Sequence, residues 1–451
     1  MPSRLVLVAL VSGLFLVGGH GCEQESTAPI GPADDEGERS AVLPVEDDSG
    51  EESDEGPQGT ILGPQPGLWV ESRREAWEDE VERLESLGYL QGYKKRSQKQ
   101  NVTLHEDGAE PGLNLYSSGH APEAVLMDMD GKVLHSWSAA FKTALPDYKM
   151  RKARRIDGQH FWMRVHLFPN GDLLAIFGGF ALIKLDRRSK VLWTYTKRAH
   201  HDLEVQPDGS IYVLTRKARH LPRFGLDSPI VEDFVTVLDP DGNEQRSVSI
   251  LGCFENSSFD SLIEERCIGQ KDPLHTNTVE VLDGRFSHLD PAFGAGKVLI
   301  SCRNFSTIAV LDLEARTVLW ARSEGWRGQH HPSFLDSGDL LLFDNLGHDG
   351  EHGLSRILQF DPVSGEVHWS YAGTLLEPFQ TDTAGFCQRL PGGTTLITES
   401  ESGRAFEVTD DGSLVWEFIN PHRAGPEDQL IAMLLEVKRL PADFPLDWLD
   451  P

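Results

Sequence analysis

SFLDSGDLLLF (Ser333–Phe343), followed across a polar gap by ILQFDPVSGEVHW (Ile357–Trp369), is the stretch from which the fold can be read. Each piece is an apolar strand, a tight turn marked by Asp and Gly, and a second strand. The first hairpin is short and almost wholly apolar, as an inner pair of strands should be. The second alternates and ends on Trp369, as an outer pair half-exposed to water should. Two hairpins in tandem form one four-stranded antiparallel sheet.

The pair recurs along the chain. Inner hairpins read HLFPNGDLLAIF (His166–Phe177), LEVQPDGSIYVL (Leu203–Leu214), VEVLDGRFSHLDPAFGAGKVLIS (Val279–Ser301) and QRLPGGTTLIT (Gln388–Thr398). Outer hairpins with a D-x-x-G-like turn end on Trp137, Trp193, Trp320 and Trp416, and VTVLDPDGNEQRSVSI (Val235–Ile250) lacks its Trp. A repeat of roughly 45–60 residues holding four strands is the blade of a β-propeller. The first outer hairpin has no inner partner upstream, and IAMLLEVKRLP (Ile431–Pro441) can supply the missing strand and close the ring. The expectation is an all-β fold, a six-bladed β-propeller over residues 113–441. An unrelated sandwich would also give short strands, but it would not repeat turn and Trp in phase.

Ahead of the propeller, Trp69, Trp77, Val81, Leu84 and Leu87 fall near helical spacing, which predicts a short amphipathic helix and linker over 67–100. Residues 22–66 are rich in Pro, Gly, Ser and acid. Between 23 and 60 there are 13 Asp and Glu against Arg39 alone. Such a segment buries too little apolar surface to offset its ordering entropy and reads as an acidic disordered tether. Residues 1–21 have a positive start, an apolar middle and small residues before Cys22, the pattern of an export signal peptide. Cys22 stands where a bacterial lipobox places its lipidated cysteine. The expected location is therefore outside the cytoplasm, lipid-anchored through Cys22 at an outer membrane, with Glu23 unlike an inner-membrane retention signal. A plain secretory signal is the alternative.

The 451 residues are 39% hydrophobic, enough for a large core, and carry a net charge of −29. A phosphate-neutralising surface is thereby excluded, so no nucleic-acid partner is expected. No later segment has 18 consecutive apolar residues, so the lipid anchor is the only membrane attachment expected. In an oxidising compartment Cys253 and Cys267 would form a disulfide across a short insertion, while Cys302 and Cys387 lie in apolar runs and read as buried thiols. No CxxC spacing suggests zinc.

Equivalent positions on inner strands converge at one end of a propeller channel. Eight residues before Gly209, Gly284, Gly338 and Gly393 stand His201, Thr276, His330 and Gly385. The Asp283–Gly284 turn is irregular. Aligning the apolar strand instead brings Asn277 into register, with His275 two residues earlier on the same face. Met163 is the equivalent in the preceding blade, and His166, on the other parity, reads as structural. Arg303 ends an apolar strand, where its charge needs an anion or a carboxylate. An arginine with several imidazoles and an amide suits a tetrahedral oxyanion such as sulfate. Three imidazoles can also bind zinc, but no carboxylate holds an in-phase position and Arg303 would repel a cation. No metal and no cofactor are expected, and no HExxH, Walker or G-x-S-x-G motif occurs.

With HHDLEVQPDG, DPLHTNTVEVL, SCRNFSTIAVLD, GQHHPSFLDSGDLLLFDN and QRLPGGTTLITESESGRAFEVTDDGSLVWEF in view, the chain resembles the bacterial arylsulfotransferase family over about residues 113–440. The resemblance implies a secreted six-bladed propeller that moves a sulfuryl group from one phenol to another without a nucleotide donor. It makes His330 the nucleophile that becomes sulfated, with His331 one position away. His275 and Asn277 match the family's H-x-N segment, Arg303 its sulfate-gripping arginine, and His201 (or His200) its HHD histidine. The implied partners are a small phenolic sulfate and a phenol. The competing reading is a non-catalytic propeller that binds a sulfated ligand or a protein partner. A metal-dependent hydrolase is a third. Oligomeric state is not legible.

Overall fold

In the computed structural model the described residues are 93–94, 99–149, 157–347, 355–373, 379–424, 428 and 430–449. The export signal, Cys22, the tether and the 67–92 segment lie outside them. At the end of the expected helix and linker, Tyr93–Lys94 instead forms a two-residue strand beside Leu430–Ile431, which also pairs with Arg423–Ala424.

Six antiparallel sheets follow one another as blades. Blade 2 runs through Arg164–Leu167, Leu173–Phe177, Ala181–Leu185 and Val191–Tyr195. Blade 3 comprises Ala199–Val205, Ile211–Arg219, Ile230–Leu238 and Glu244–Ser249. Blade 4 comprises Thr276–Val281, Val298–Cys302, Thr307–Asp312 and Thr317–Arg322. Blade 5 comprises His330–Phe334, Leu340–Asp344, Arg356–Phe360 and Val367–Ala372. Blade 6 comprises Phe386–Arg389, Thr395–Glu399, Arg404–Val408 and Leu414–Ile419. Blade 1 is shared between the chain's ends: Leu434–Leu440 is its inner strand, antiparallel to Leu113–Ser118 from Leu434↔Ser118 to Leu440↔Leu113 with one register slip between Leu434 and Glu436. Glu123–Met127 and Val133–Ser138 complete it. The ring thus closes between distant segments of the chain, as the orphan hairpin implied. Asn101–His105 adds a fifth strand outside blade 6, which the sequence pattern did not announce and which covers an otherwise open edge.

The repeated turn and Trp have physical roles. The Asp that opens the outer turn of blades 1 to 5 accepts backbone N–H groups of that turn, as Asp128 does from Asp130 and Lys132, Asp186 from Arg188 and Lys190, and Asp239 from Asp241 and Asn243, while in blade 6 Thr409 Oγ1 accepts from Ser413 N. The carboxylate satisfies donors that the tight turn leaves free. The Trp then reaches the next blade. Trp137 Nε1 donates to the Gly171 carbonyl at 3.0 Å, Trp369 to Asp410 at 2.8 Å, and Trp416 to Met129 at 2.9 Å across the closure. Trp193 lies over Gly242, where a Cβ would meet the indole at 2.7 Å. Periodic Trp is therefore the staple between neighbouring blades, and apolar clusters fill the wedges beneath.

The insertion between blades 3 and 4 forms helices Ile250–Glu255 and Ser261–Arg266, the first capped by Ser249 Oγ accepting from Gly252 N. The expected Cys253–Cys267 disulfide is not there. Both thiols are free and fully buried, in one apolar cluster with Phe254, Phe305 and Cys302. Burial pushes each thiol up to about 12. Apolar packing, not a cross-link, holds the insertion. Cys302 and Cys387 are buried free thiols as expected.

Candidate active site

The inner strands of blades 3, 4 and 5 share an irregularity at their starts. Register slips between Ala199 and Leu203, between Thr276 and Thr278, and between His330 and Ser333. His201, His275 and His331 there adopt left-handed φ values of 50°, 49° and 47°. Non-glycine residues hold such angles at a cost, and surrounding contacts must fix them. The bulges turn successive histidines to different sides of the strand.

His201, His275 and His330 come together at this end of the channel. The His201 and His275 rings meet edge to face with centroids 4.8 Å apart. His330 lies within electrostatic reach of both His275 and Arg303. His201 Nδ1 is 2.8 Å from His200 Nδ1 and 3.1 Å from Arg216 Nη2, while its backbone N–H points at Met163 Sδ. Asn277 does not join the cluster as a free amide. Its Nδ2 donates to the Gln329 carbonyl at 2.9 Å and its Oδ1 accepts from Thr278 Oγ1, so it braces the strand that bears His330.

His330 is 6% exposed and its Nδ1 faces two acceptors, Asn345 Oδ1 at 2.7 Å and the Gly328 carbonyl at 3.1 Å. Asn345 Nδ2 donates to the Thr381 and Ala384 carbonyls, which orients its oxygen towards the ring. The proton of a neutral His330 therefore sits on Nδ1, and Nε2 presents a lone pair. Burial, then the Arg303 guanidinium, pushes His330 down to about 3. His200 and His201 are held well below the ordinary range by burial and neighbouring cations. Arg303 donates to Asn304 Oδ1 and to the Asp382 carbonyl at 3.2 Å. Among the described residues it has no carboxylate partner, so its charge is not cancelled.

His331 points elsewhere. Its ring packs on Phe386 with centroids 4.0 Å apart and lines a cavity of about 310 Å³ further along the channel. That cavity also takes in Arg164, Asp202, Glu204, Glu280, Glu436 and His166, none of the clustered histidines, and neither Arg303 nor Asn277. His166 borders the cavity with its ring edge-on to Phe168, centroids 4.9 Å apart.

Residue spacing missed two groups. Asn345 stands in the FDN segment fifteen places after His330. Asp272 accepts from His275 Nδ1 at 2.5 Å and stands three residues before it in DPLHTN. An Asp or Asn near a histidine in sequence was the available signal. Among the described residues, no group of three or more His, Cys, Asp or Glu is placed to hold a metal ion, and no helix is long and apolar enough to cross a membrane.

Fold and site together define a six-bladed propeller whose channel mouth gathers three imidazoles near an arginine that has no carboxylate partner among the described residues. The chain belongs to the arylsulfotransferase (ASST) family, whose model matches residues 164–421. That span holds His201, His275, Asn277, Arg303 and His330, and membership supports a sulfotransferase. No curated protein is significantly similar in sequence. Among solved structures, a protein of unknown function from Bacteroides caccae is 13% identical, with TM-score 0.46, covering 73% of this chain and 98% of its own. The propeller domain of Cps50 (Swd1) from Myceliophteria thermophila is 12% identical, with TM-score 0.42 and coverages of 77% and 99%. The WD40 propeller of Doa1 is 15% identical, with TM-score 0.40 and coverages of 77% and 96%.

Proposed function

We propose that this protein transfers a sulfuryl group from an aryl sulfate ester to a phenolic acceptor by two displacements through a sulfated His330. In the first, His330 Nε2 attacks sulfur, the N–S bond forms and the S–O(aryl) bond breaks. In the second, the acceptor oxygen attacks sulfur and His330 leaves as neutral imidazole. A histidine intermediate divides one difficult transfer into two easier ones. Negative charge on the non-bridging oxygens is met by Arg303, with His275 and His201 alongside.

The observation that carries this reading is the pair of acceptors facing His330 Nδ1, Asn345 Oδ1 at 2.7 Å and the Gly328 carbonyl at 3.1 Å. With Nδ1 committed to Asn345 and the Gly328 carbonyl, the nucleophilic nitrogen is unprotonated beside a cation. Incubation with a chromogenic aryl sulfate and no acceptor should add one sulfuryl group to the peptide Gly328–Phe334, and phenol should then discharge it. An adduct on His331 would move the nucleophile. Saturable binding with neither adduct nor turnover across a broad phenol panel would favour the non-catalytic reading.

The proposed location is outside the cytoplasm, tethered at an outer membrane through lipidated Cys22, two signals in the first residues that support each other. Cys22→Ala should release the mature protein from membranes and alter its electrophoretic mobility. Retention on membranes with unshifted mobility would sink the anchor.

A further inference from the structure

We propose that Asp272 is a positioning residue that makes His275 the proton carrier of the transfer, so that the donor's aryl oxygen departs as a phenol. The inference rests on the sulfohistidine reading above. Asp272 lies on the connection entering blade 4, and its Oδ2 accepts from His275 Nδ1 at 2.5 Å, with the two side chains 14% and 18% exposed. Both partners are fastened to one segment. Asn304 Nδ2 donates to the Asp272 carbonyl at 2.8 Å, and Arg303 N donates to the His275 carbonyl at 3.2 Å. The segment that carries the anion-gripping arginine thereby also fixes the carboxylate–imidazole pair.

With Nδ1 bound to a carboxylate, Nε2 is the nitrogen left for chemistry. A carboxylate behind an imidazole holds its orientation and stabilises the imidazolium. The groups facing His275 and Asp272 are His200, His201, Arg216 and Asp233 from blade 3 and His330 from blade 5. His200, His201 and His330 are all pushed towards their neutral forms. His330 donates to an amide where His275 donates to a carboxylate. The carboxylate behind Nδ1 is what suits His275 to the proton-carrying role. As the N–S bond forms at His330 and the S–O(aryl) bond breaks, His275 Nε2–H gives its proton to the departing oxygen. When the acceptor phenol attacks sulfur, its proton returns to His275 Nε2. Over both halves no proton is gained or lost.

Single-turnover sulfurylation with a donor series tests this, from 4-nitrophenyl sulfate, whose phenolate leaves unaided, to phenyl and 4-methoxyphenyl sulfates, whose phenolates do not. In the unaltered protein the rate should depend little on the leaving group. Asp272→Asn should slow phenyl sulfate by about 10²-fold or more while slowing 4-nitrophenyl sulfate by less than about tenfold, the range expected of a lost general acid. Asp272→Glu, which keeps the carboxylate, should recover part of the phenyl sulfate rate. An equal loss across the series in Asp272→Asn would mark a merely structural residue and overturn the proposal. A steep leaving-group dependence in the unaltered protein would overturn it too, and that arm decides the matter if Asp272→Asn does not fold. Absence of any adduct in the unaltered protein would instead defeat the sulfohistidine reading, a separable outcome.

Discussion

The channel has two polar regions that use similar residues for opposite ends. At the mouth, His201, His275 and His330 stand near Arg303, which has no carboxylate partner among the described residues. Further along, Arg164 is enclosed by acid: Nε lies 3.0 Å from Asp202 and Nη1 2.8 Å from Glu436, with Phe386 beneath the guanidinium at 5.4 Å. Burial works against that charge, yet Glu436 and Asp202 outweigh it and raise the Arg164 pKa. These residues come from blades 2, 3, 1 and 6, so the triad ties the ring across its axis. Paired charges fasten a fold, whereas an uncancelled charge beside neutral nucleophiles is arranged for a ligand.

The largest effect should come from the mouth. His330→Asn should abolish both the sulfuryl adduct and turnover while leaving the melting temperature nearly unchanged, because an amide can replace the bond to Asn345 but carries no nucleophilic nitrogen. Full activity in that variant would remove the mouth from the chemistry. Arg164→Ala should do the reverse and lower unfolding stability by about 3–5 kcal/mol, since it strands two buried carboxylates. Urea unfolding measures it. Some loss of activity should follow, as Arg164 Nε also donates to the His201 carbonyl. A stability change within about 0.5 kcal/mol would show that the triad is no latch. Next in size, Arg303→Ala should cost transfer about 10²–10³-fold, as for a lost oxyanion donor, with little change in stability. A large loss of stability would place Arg303 with Arg164 as a fold-holding charge.

How much of this could be read in the sequence follows from what repeats. Turn Asp, turn Gly and closing Trp recur because each blade meets its neighbour in the same way, so ring, blade count and closure by the C-terminal strand were legible. The positions of His201 and His330 were counted from those turns, and that of Asn277 from its apolar strand, because the Asp283–Gly284 turn is irregular. Side-chain direction at the bulges was not legible. A residue inserted near His331 rotates its neighbours, and only the folded backbone separates His330, held by Asn345, from His331 in the cavity. Asp272 escaped notice because it lies on a connection outside the repeat. The cysteines misled for a different reason. Spacing and compartment argued for a bridge, but two buried thiols inside an apolar cluster need no staple. The fifth strand on blade 6 has no counterpart elsewhere in the chain and so no periodic signal.

The smallest effect separates the two regions by pH. Glu204 and Glu280 line the cavity on adjacent inner strands, Glu204 accepting from Val281 N and Glu280 from Phe334 N. Burial pushes Glu204 up to about 7, and burial together with the Glu204 carboxylate pushes Glu280 up to about 8. Between the ordinary value of 4.5 and those values the folded chain binds protons that the unfolded chain has released. Stability from these groups is therefore present at low pH and lost as pH rises towards 8. The mouth has the opposite sign. His330 is pushed down to about 3 from 6.5, so its contribution is intact above 6.5 and lost as pH falls towards 3. Glu280→Gln should flatten the decline in stability between about pH 4.5 and pH 8, by on the order of 1 kcal/mol once screening by water in the cavity is allowed for. The acid limb should be untouched. Melting curves across that range measure the effect, and an unaltered decline in Glu280→Gln would mean that the cavity carboxylates are ionised at neutral pH and that the channel is open to solvent along its length.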